Sequence, residues 1–208
     1  MVHSGTVWRT VSQLEETLNE EIKNLCEIEL RGTQHCVLNV TLDPDTACCE
    51  LILSEDGKQM RLGDIHQILC NNQHSFCTGR FYYEMRVKGK AGWVLGVVRE
   101  SINRKGNITR CPENGHWVIR LWDGFDYRAY AGPDVHLSLR EKPQKVWVFV
   151  DYEEGQVSFY NVEDRSHIYS FTGCNFMELL FPCFSTGKNI DCKNGTPFII
   201  YNVPVAKG

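Results

Sequence analysis

The sequence predicts an all-β fold, an antiparallel β-sandwich or barrel with one helix in front of it. Three observations predict it. From about residue 37 the apolar residues recur with a period of two, the pattern of a half-buried strand. Tight-turn signals separate these runs at short intervals. Only the first thirty or so residues carry a helical period, and no second helix-length pattern interrupts the strands.

The helical period comes first. Val7, Val11, Leu14, Leu18, Leu25 and Ile28 form an apolar stripe, with Glu15, Glu16, Glu20, Glu21 and Lys23 on the other face. Ser12 with Glu15 three residues later suits a capping box, and Gly32 suits a C-terminal stop. A stripe this short fits either the tail of a dimerising coiled coil or a helix packed on its own domain. Residues 1–36 are therefore read as a helical segment and 37–208 as the β domain.

Within that domain Phe81, Tyr83, Met85 and Val87 alternate with Tyr82, Glu84, Arg86 and Lys88. Trp93, Leu95 and Val97 follow. Trp117, Ile119 and Leu121 alternate with His116, Val118, Arg120 and Trp122. Val146, Val148 and Val150 alternate with Trp147, Phe149 and Asp151, and Val157 and Phe159 come after. Asp56-Gly57, Asn114-Gly115, Asp123-Gly124, Glu154-Gly155 and Asn194-Gly195 mark turns between them. Trp93, Trp117, Trp147, Tyr152 and Phe159 are assigned to the core.

Composition narrows the function. A chain of 208 residues builds one sizeable core. Net charge is −4, with acids and bases interspersed, so the electrostatic footprint of a nucleic-acid binder is missing. No run of about eighteen apolar residues exists to span a membrane, and no signal sequence opens the chain, so a cytoplasmic location is expected. The ten cysteines are scattered without a CxxC pair, which fits reduced thiols acting as small apolar residues. The three Asn-x-Thr sequons, at Asn39, Asn107 and Asn194, matter only in the secretory route. No G-x-S-x-G, H-E-x-x-H, P-loop or EF-hand pattern appears, and the histidines are dispersed. The chain is expected to be no enzyme and to need no cofactor or metal.

Three ordered motifs then resemble a known family. Leu42-Asp43-Pro44-Asp45-Thr46, with Leu51-Ile52-Leu53-Ser54-Glu55-Asp56-Gly57-Lys58, resembles the PRY segment of PRY-SPRY domains. Gly79-Arg80-Phe81-Tyr82-Tyr83-Glu84-Met85 resembles the second motif, usually WEVE, with Tyr83 where Trp is common. Val150-Asp151-Tyr152-Glu153-Glu154-Gly155 resembles the third, LDYEAG. The stretch from Arg99 to Gly106 is most similar to tripartite-motif (TRIM) proteins of fish. The resemblance implies a bent antiparallel β-sandwich with a short leading helix. It places that helix where a coiled coil ends, and so favours a homodimer through it. It also implies a loop face that recognises a target protein for a ubiquitin ligase, in many relatives for innate immunity or antiviral defence. Two departures stand out. The segment from Asp64 to Thr78 is compressed, so one edge of the first sheet is expected to be missing or rebuilt. The loop around Lys188 and Asn189 is also altered.

Candidate binding residues follow. Trp122 ends a strand beside Asp123-Gly124 and shares a face with Arg120, and a Trp-plus-Arg pair is what interface hot spots favour. The competing role for Trp122 is to cap the core. Phe125 and Tyr127 flank the same turn and either extend an aromatic surface or pair across strands. The resemblance places Val94 on a pocket floor, although a plain core residue fits it too. Asn103 and Arg104 sit in a loop between strands, either contacting a partner or simply solvated. Lys188 and Asn189 stand under the same choice. The partner itself, a protein, is unnamed by the sequence. Two other readings compete: a butyrophilin-like sensor of a small phosphorylated ligand using Arg104, His116, Arg120 and Arg128, and a free-standing decoy without a RING.

Overall fold

Successive side chains leave opposite faces of a strand, so alternating sequences become strands with one buried face. The computed structural model describes residues 13, 17, 40–41, 52–61, 68–70, 76–102, 109–186 and 197–201. Strands β1 (Ile52–Leu53), β2 (Gln59–Arg61), β3 (Ile68–Cys70), β4 (Arg80–Arg86) and β5 (Trp93–Arg99) come first. They are followed by β6 (His116–Trp122), β7 (Asp126–Ala129), β8 (Val135–His136) and β9 (Lys145–Asp151). The series closes with β10 (Gln156–Asn161), β11 (Ser166–Phe171), β12 (Leu180–Thr186) and β13 (Phe198–Tyr201).

These strands form two sheets, one seven-stranded in the order β1-β2-β13-β4-β9-β10-β11 and one six-stranded in the order β3-β12-β5-β6-β7-β8. Every pairing between named strands is antiparallel. The inward faces meet in one core: Phe81, Tyr83 and Met85 of β4, Val146, Val148 and Val150 of β9, Trp93, Leu95 and Val97 of β5, Trp117, Ile119 and Leu121 of β6. All are buried, and each contributes roughly 1.5–3 kcal/mol of transfer free energy. The predicted all-β sandwich is what the described residues form.

Trp93, Trp117 and Phe159 take the core places expected of them, and Tyr152 packs against that core half-buried. Trp147 is a correction. It alternates with Val146 and Val148, so it leaves the opposite face of β9 and joins Tyr82, Phe149 and Tyr160 in a separate cluster. The compressed segment does contain a strand: β3 pairs with β12 and becomes one edge of the six-stranded sheet. Of the leading segment, Gln13 and Thr17 are described. Both are helical and exposed, and the Thr17 hydroxyl donates to the Gln13 carbonyl at 2.9 Å. The capping box, the apolar stripe and any coiled coil lie outside the described residues.

Candidate functional site on the outward face of the six-stranded sheet

Alternation along β6 sends Trp117, Ile119 and Leu121 into the core. It sends His116, Val118, Arg120 and Trp122 the other way. The same parity along β7 turns Asp126, Arg128 and Tyr130 outward and Tyr127 and Ala129 inward. Cross-strand register then lines up one row across the outward face. Ser185 stands opposite Val94, Val94 opposite Arg120, Arg120 opposite Arg128, and Arg128 opposite His136. Trp122 and Asp126 form the next row. On the other side lies an apolar bed of Val98, Ile102, Val118 and Phe181, with Val94, Tyr130 and Leu179 packed against it.

The β6–β7 turn fixes the aromatic end. Asp123 and Gly124 both take positive φ, 51° and 75°, and the Phe125 N–H donates to the Trp122 carbonyl at 3.2 Å. Two left-handed residues in a row make the tight hairpin turn that matches strand twist, and Asp-Gly supplies them at low cost. Gly124 also donates to the Ala91 carbonyl at 2.7 Å, which pins the turn to the loop before β5. Trp122 is left 40% exposed and Phe125 72% exposed.

Charge concentrates beside them. Asp126 accepts from Arg128 Nε at 2.9 Å and lies 3.4 Å from an Arg120 terminal nitrogen. The Arg128 hydrogen bond holds the Asp126 carboxyl below the usual carboxylate range; burial opposes it, and the charges of Arg128, Arg120 and His136 each add a smaller push the same way as the hydrogen bond. The Arg120 and Arg110 guanidinium carbons lie 5.6 and 6.0 Å from the Tyr130 ring centre, close enough for cation–π attraction. The Nε atoms of Arg110 and Arg120 and Nε2 of His116 are buried with no hydrogen-bond partner among the described residues. Of these, the Nε–H groups of Arg110 and Arg120 are donors, and they favour a ligand that accepts from them.

Of the predicted contact residues, Val94, Arg120, Trp122, Asp123 and Phe125 are therefore gathered on one face or at its rim. Tyr127 is not. It is 6% exposed, belongs to the core and packs edge-on against Trp93 at 6.1 Å between ring centres. Its odd place in β7 turns it inward, so the aromatic surface stops at Phe125. Asn103, Arg104, Lys188 and Asn189 lie outside the described residues. The sequence alone does not single out Asp126, Tyr130 or Arg110 as individual contacts. The period-two signal of β7 gives only the outward parity of the first two. Arg110 precedes the short 3₁₀ turn Pro112–Asn114, and no local pattern places it. Among the described residues no three His, Cys, Asp or Glu side chains group to hold a metal ion. No helix among them is long and apolar enough to cross a membrane.

A sandwich that presents cations and exposed aromatic rings on one sheet face is a binding module. Residues 80–197 match the SPRY domain and residues 40–81 the SPRY-associated domain, PRY, so the chain belongs to the SPRY-domain family, in its PRY-SPRY form of the tripartite-motif type. It is 40% identical to human pyrin over 209 residues, covering 95% of this chain and 27% of that protein. It is 40% identical to the mouse E3 ubiquitin-protein ligase TRIM21 over 175 residues, 78% of this chain and 37% of that protein. The chain thus spans well under half the length of these curated relatives. The crystal structure of the TRIM65 PSpry domain shares the fold, with a TM-score of 0.67 at 21% identity, covering 84% of this chain and 98% of that one. Protein interaction is the function this family assignment supports.

Proposed function

We propose that the domain is the substrate-recognition part of a TRIM-type E3 ubiquitin ligase serving innate immunity or antiviral defence in the cytoplasm. It holds a target protein against the outward face of the six-stranded sheet and performs no catalysis itself. Ubiquitin transfer is left to other parts of a longer chain. Dimerisation through the leading helix adds avidity, because two linked weak sites act together. The single observation behind this reading is the pairing of exposed Trp122 and Phe125 with half-buried Arg120 on one face. Exposed indole and guanidinium groups around a desolvated centre are the usual composition of a hot spot.

A paired pull-down from infected and uninfected cells tests it. One bait is this chain, and the other carries Arg120→Ala and Trp122→Ala with matched circular dichroism. The expected result is a protein captured by the first bait and lost with the second. Equal capture by both moves recognition off this face and defeats the reading.

A further inference from the structure

We propose that the target presents an acidic side chain to this face, seated between Arg120 and Arg128 with an apolar neighbour on Trp122 and Phe125, and that Asp126 occupies that place in the unbound domain. The inference rests on the function proposed above and names the chemistry of its partner. Arg120 and Arg128 are direct cross-strand partners. Like charges at paired positions repel, and an anion between them relieves that repulsion. Asp126 is that anion, and it fits unevenly: 2.9 Å to Arg128 but 3.4 Å to Arg120. Arg120 is the more buried of the two guanidinium side chains, at 16% exposure against 41% for Arg128. Its Nε has no partner among the described residues.

Arg110, stacked near the same Tyr130 ring, adds a third cation. Among the described residues Asp126 is the carboxylate within ion-pair reach of Arg120 or Arg128. Three cations thus gather here, with Asp126 against two of them and Asp134 acting on Arg128 at longer range, on a chain that is at −4 as a whole. A carboxylate is a planar acceptor matched to the guanidinium fork. The exposed rings of Trp122 and Phe125 ask for an apolar group beside that carboxylate. A polypeptide supplies both in adjacent residues.

The test uses a random linear peptide library displayed on phage, selected against the full chain. Enriched peptides are synthesised and titrated against the wild type, Arg120→Gln, Asp126→Asn and Trp122→Ala, each with its thermal melt recorded. Arg128→Gln, at the more exposed side chain, replaces Arg120→Gln if that variant melts early. Support is a peptide set in which Asp or Glu adjoins an aromatic or aliphatic residue. Arg120→Gln then weakens binding about tenfold or more, the loss of a charge-assisted hydrogen bond. Asp126→Asn tightens it severalfold, because the internal competitor is gone. Peptides without an acid, lost with Trp122→Ala but indifferent to Arg120→Gln, overturn the acidic partner while leaving the recognition face intact. Peptides bound equally by all variants overturn both. Acidic peptides weakened by Asp126→Asn show that Asp126 holds Arg120 in position, and overturn its role as a competitor.

Discussion

His116 is fully buried on the outward side of β6, with Nδ1 2.9 Å from the Asn114 carbonyl. A carbonyl only accepts, so Nδ1 carries a proton and donates to it. Desolvation pushes its pKa below the ordinary histidine range, the charges of Arg110 and Arg99 push the same way, and the Asn114 carbonyl opposes them in part. A depressed folded-state pKa means that the unfolded chain takes up this proton first. Stability is then intact above about pH 6.5, the unfolded value, and falls as pH drops toward the folded value. The slope from this one group is at most about 1.4 kcal/mol per pH unit. His116→Gln, which keeps a donor for Asn114, is expected to flatten the decline between about pH 6.5 and 5. Urea titrations of both proteins across that window check it, and parallel pH profiles would show that His116 is already protonated in the fold. Tyr83 makes a different residue-scale point. The sequence shows a tyrosine where the family commonly has Trp, and gives no reason for it. In the fold its hydroxyl donates to the Gly96 carbonyl at 2.6 Å, joining the two sheets through the core.

At the scale of elements, the β9–β10 turn is fastened to the start of β4. Asp151 Oδ2 accepts from Arg80 Nε at 2.5 Å and Oδ1 from the Glu154 N–H at 3.0 Å. Both Glu153 carboxylate oxygens accept from the Gly79 N–H, at 2.8 and 2.9 Å. Asp151 is buried while Arg80 is largely exposed, so removing the carboxylate strands the Glu154 N–H more than it strands Arg80. Asp151→Ala is expected to cost about 2–3 kcal/mol. The readout is a lower urea midpoint at unchanged m-value, and a loss under about 0.5 kcal/mol would assign the turn's stability elsewhere. The motif around Asp151 was legible as structural because an acid inside a strand-turn sequence finds backbone donors. Strand parity was legible as well: it separated Trp117 from Arg120 and, read along β7, separates Tyr127 from Arg128. Register was legible only in part. The Asp123-Gly124 turn sets Arg120 against Arg128 locally, but nothing local places Val94 in the same row, since that depends on where the long connection between β5 and β6 returns the chain. Arg110 reaches Tyr130 only through such a loop, and so escaped the sequence.

The whole molecule carries its charge unevenly, and that decides how recognition should respond to salt. With a net charge of −4, the chain at long range repels an acidic target weakly. Close to the six-stranded sheet Arg110, Arg120 and Arg128 act at short range, offset in part by Asp126 and Asp134. Because the Debye length shrinks from roughly 14 to 6 Å between about 50 and 300 mM salt, the attraction acting during approach is screened while docked contacts are not. The association rate for an acid-bearing ligand is therefore expected to fall about three- to tenfold across that range, with the dissociation rate nearly constant. Arg128→Gln should flatten the salt dependence of association, because an exposed charge steers encounter. Trp122→Ala should keep the wild-type salt slope and speed dissociation instead, because buried apolar contact acts after docking. Surface plasmon resonance at stepped salt separates the two rates. A salt slope unchanged by Arg128→Gln would place the steering charges outside the described face. A dissociation rate unchanged by Trp122→Ala would return that indole to the role of a cap on the sandwich edge.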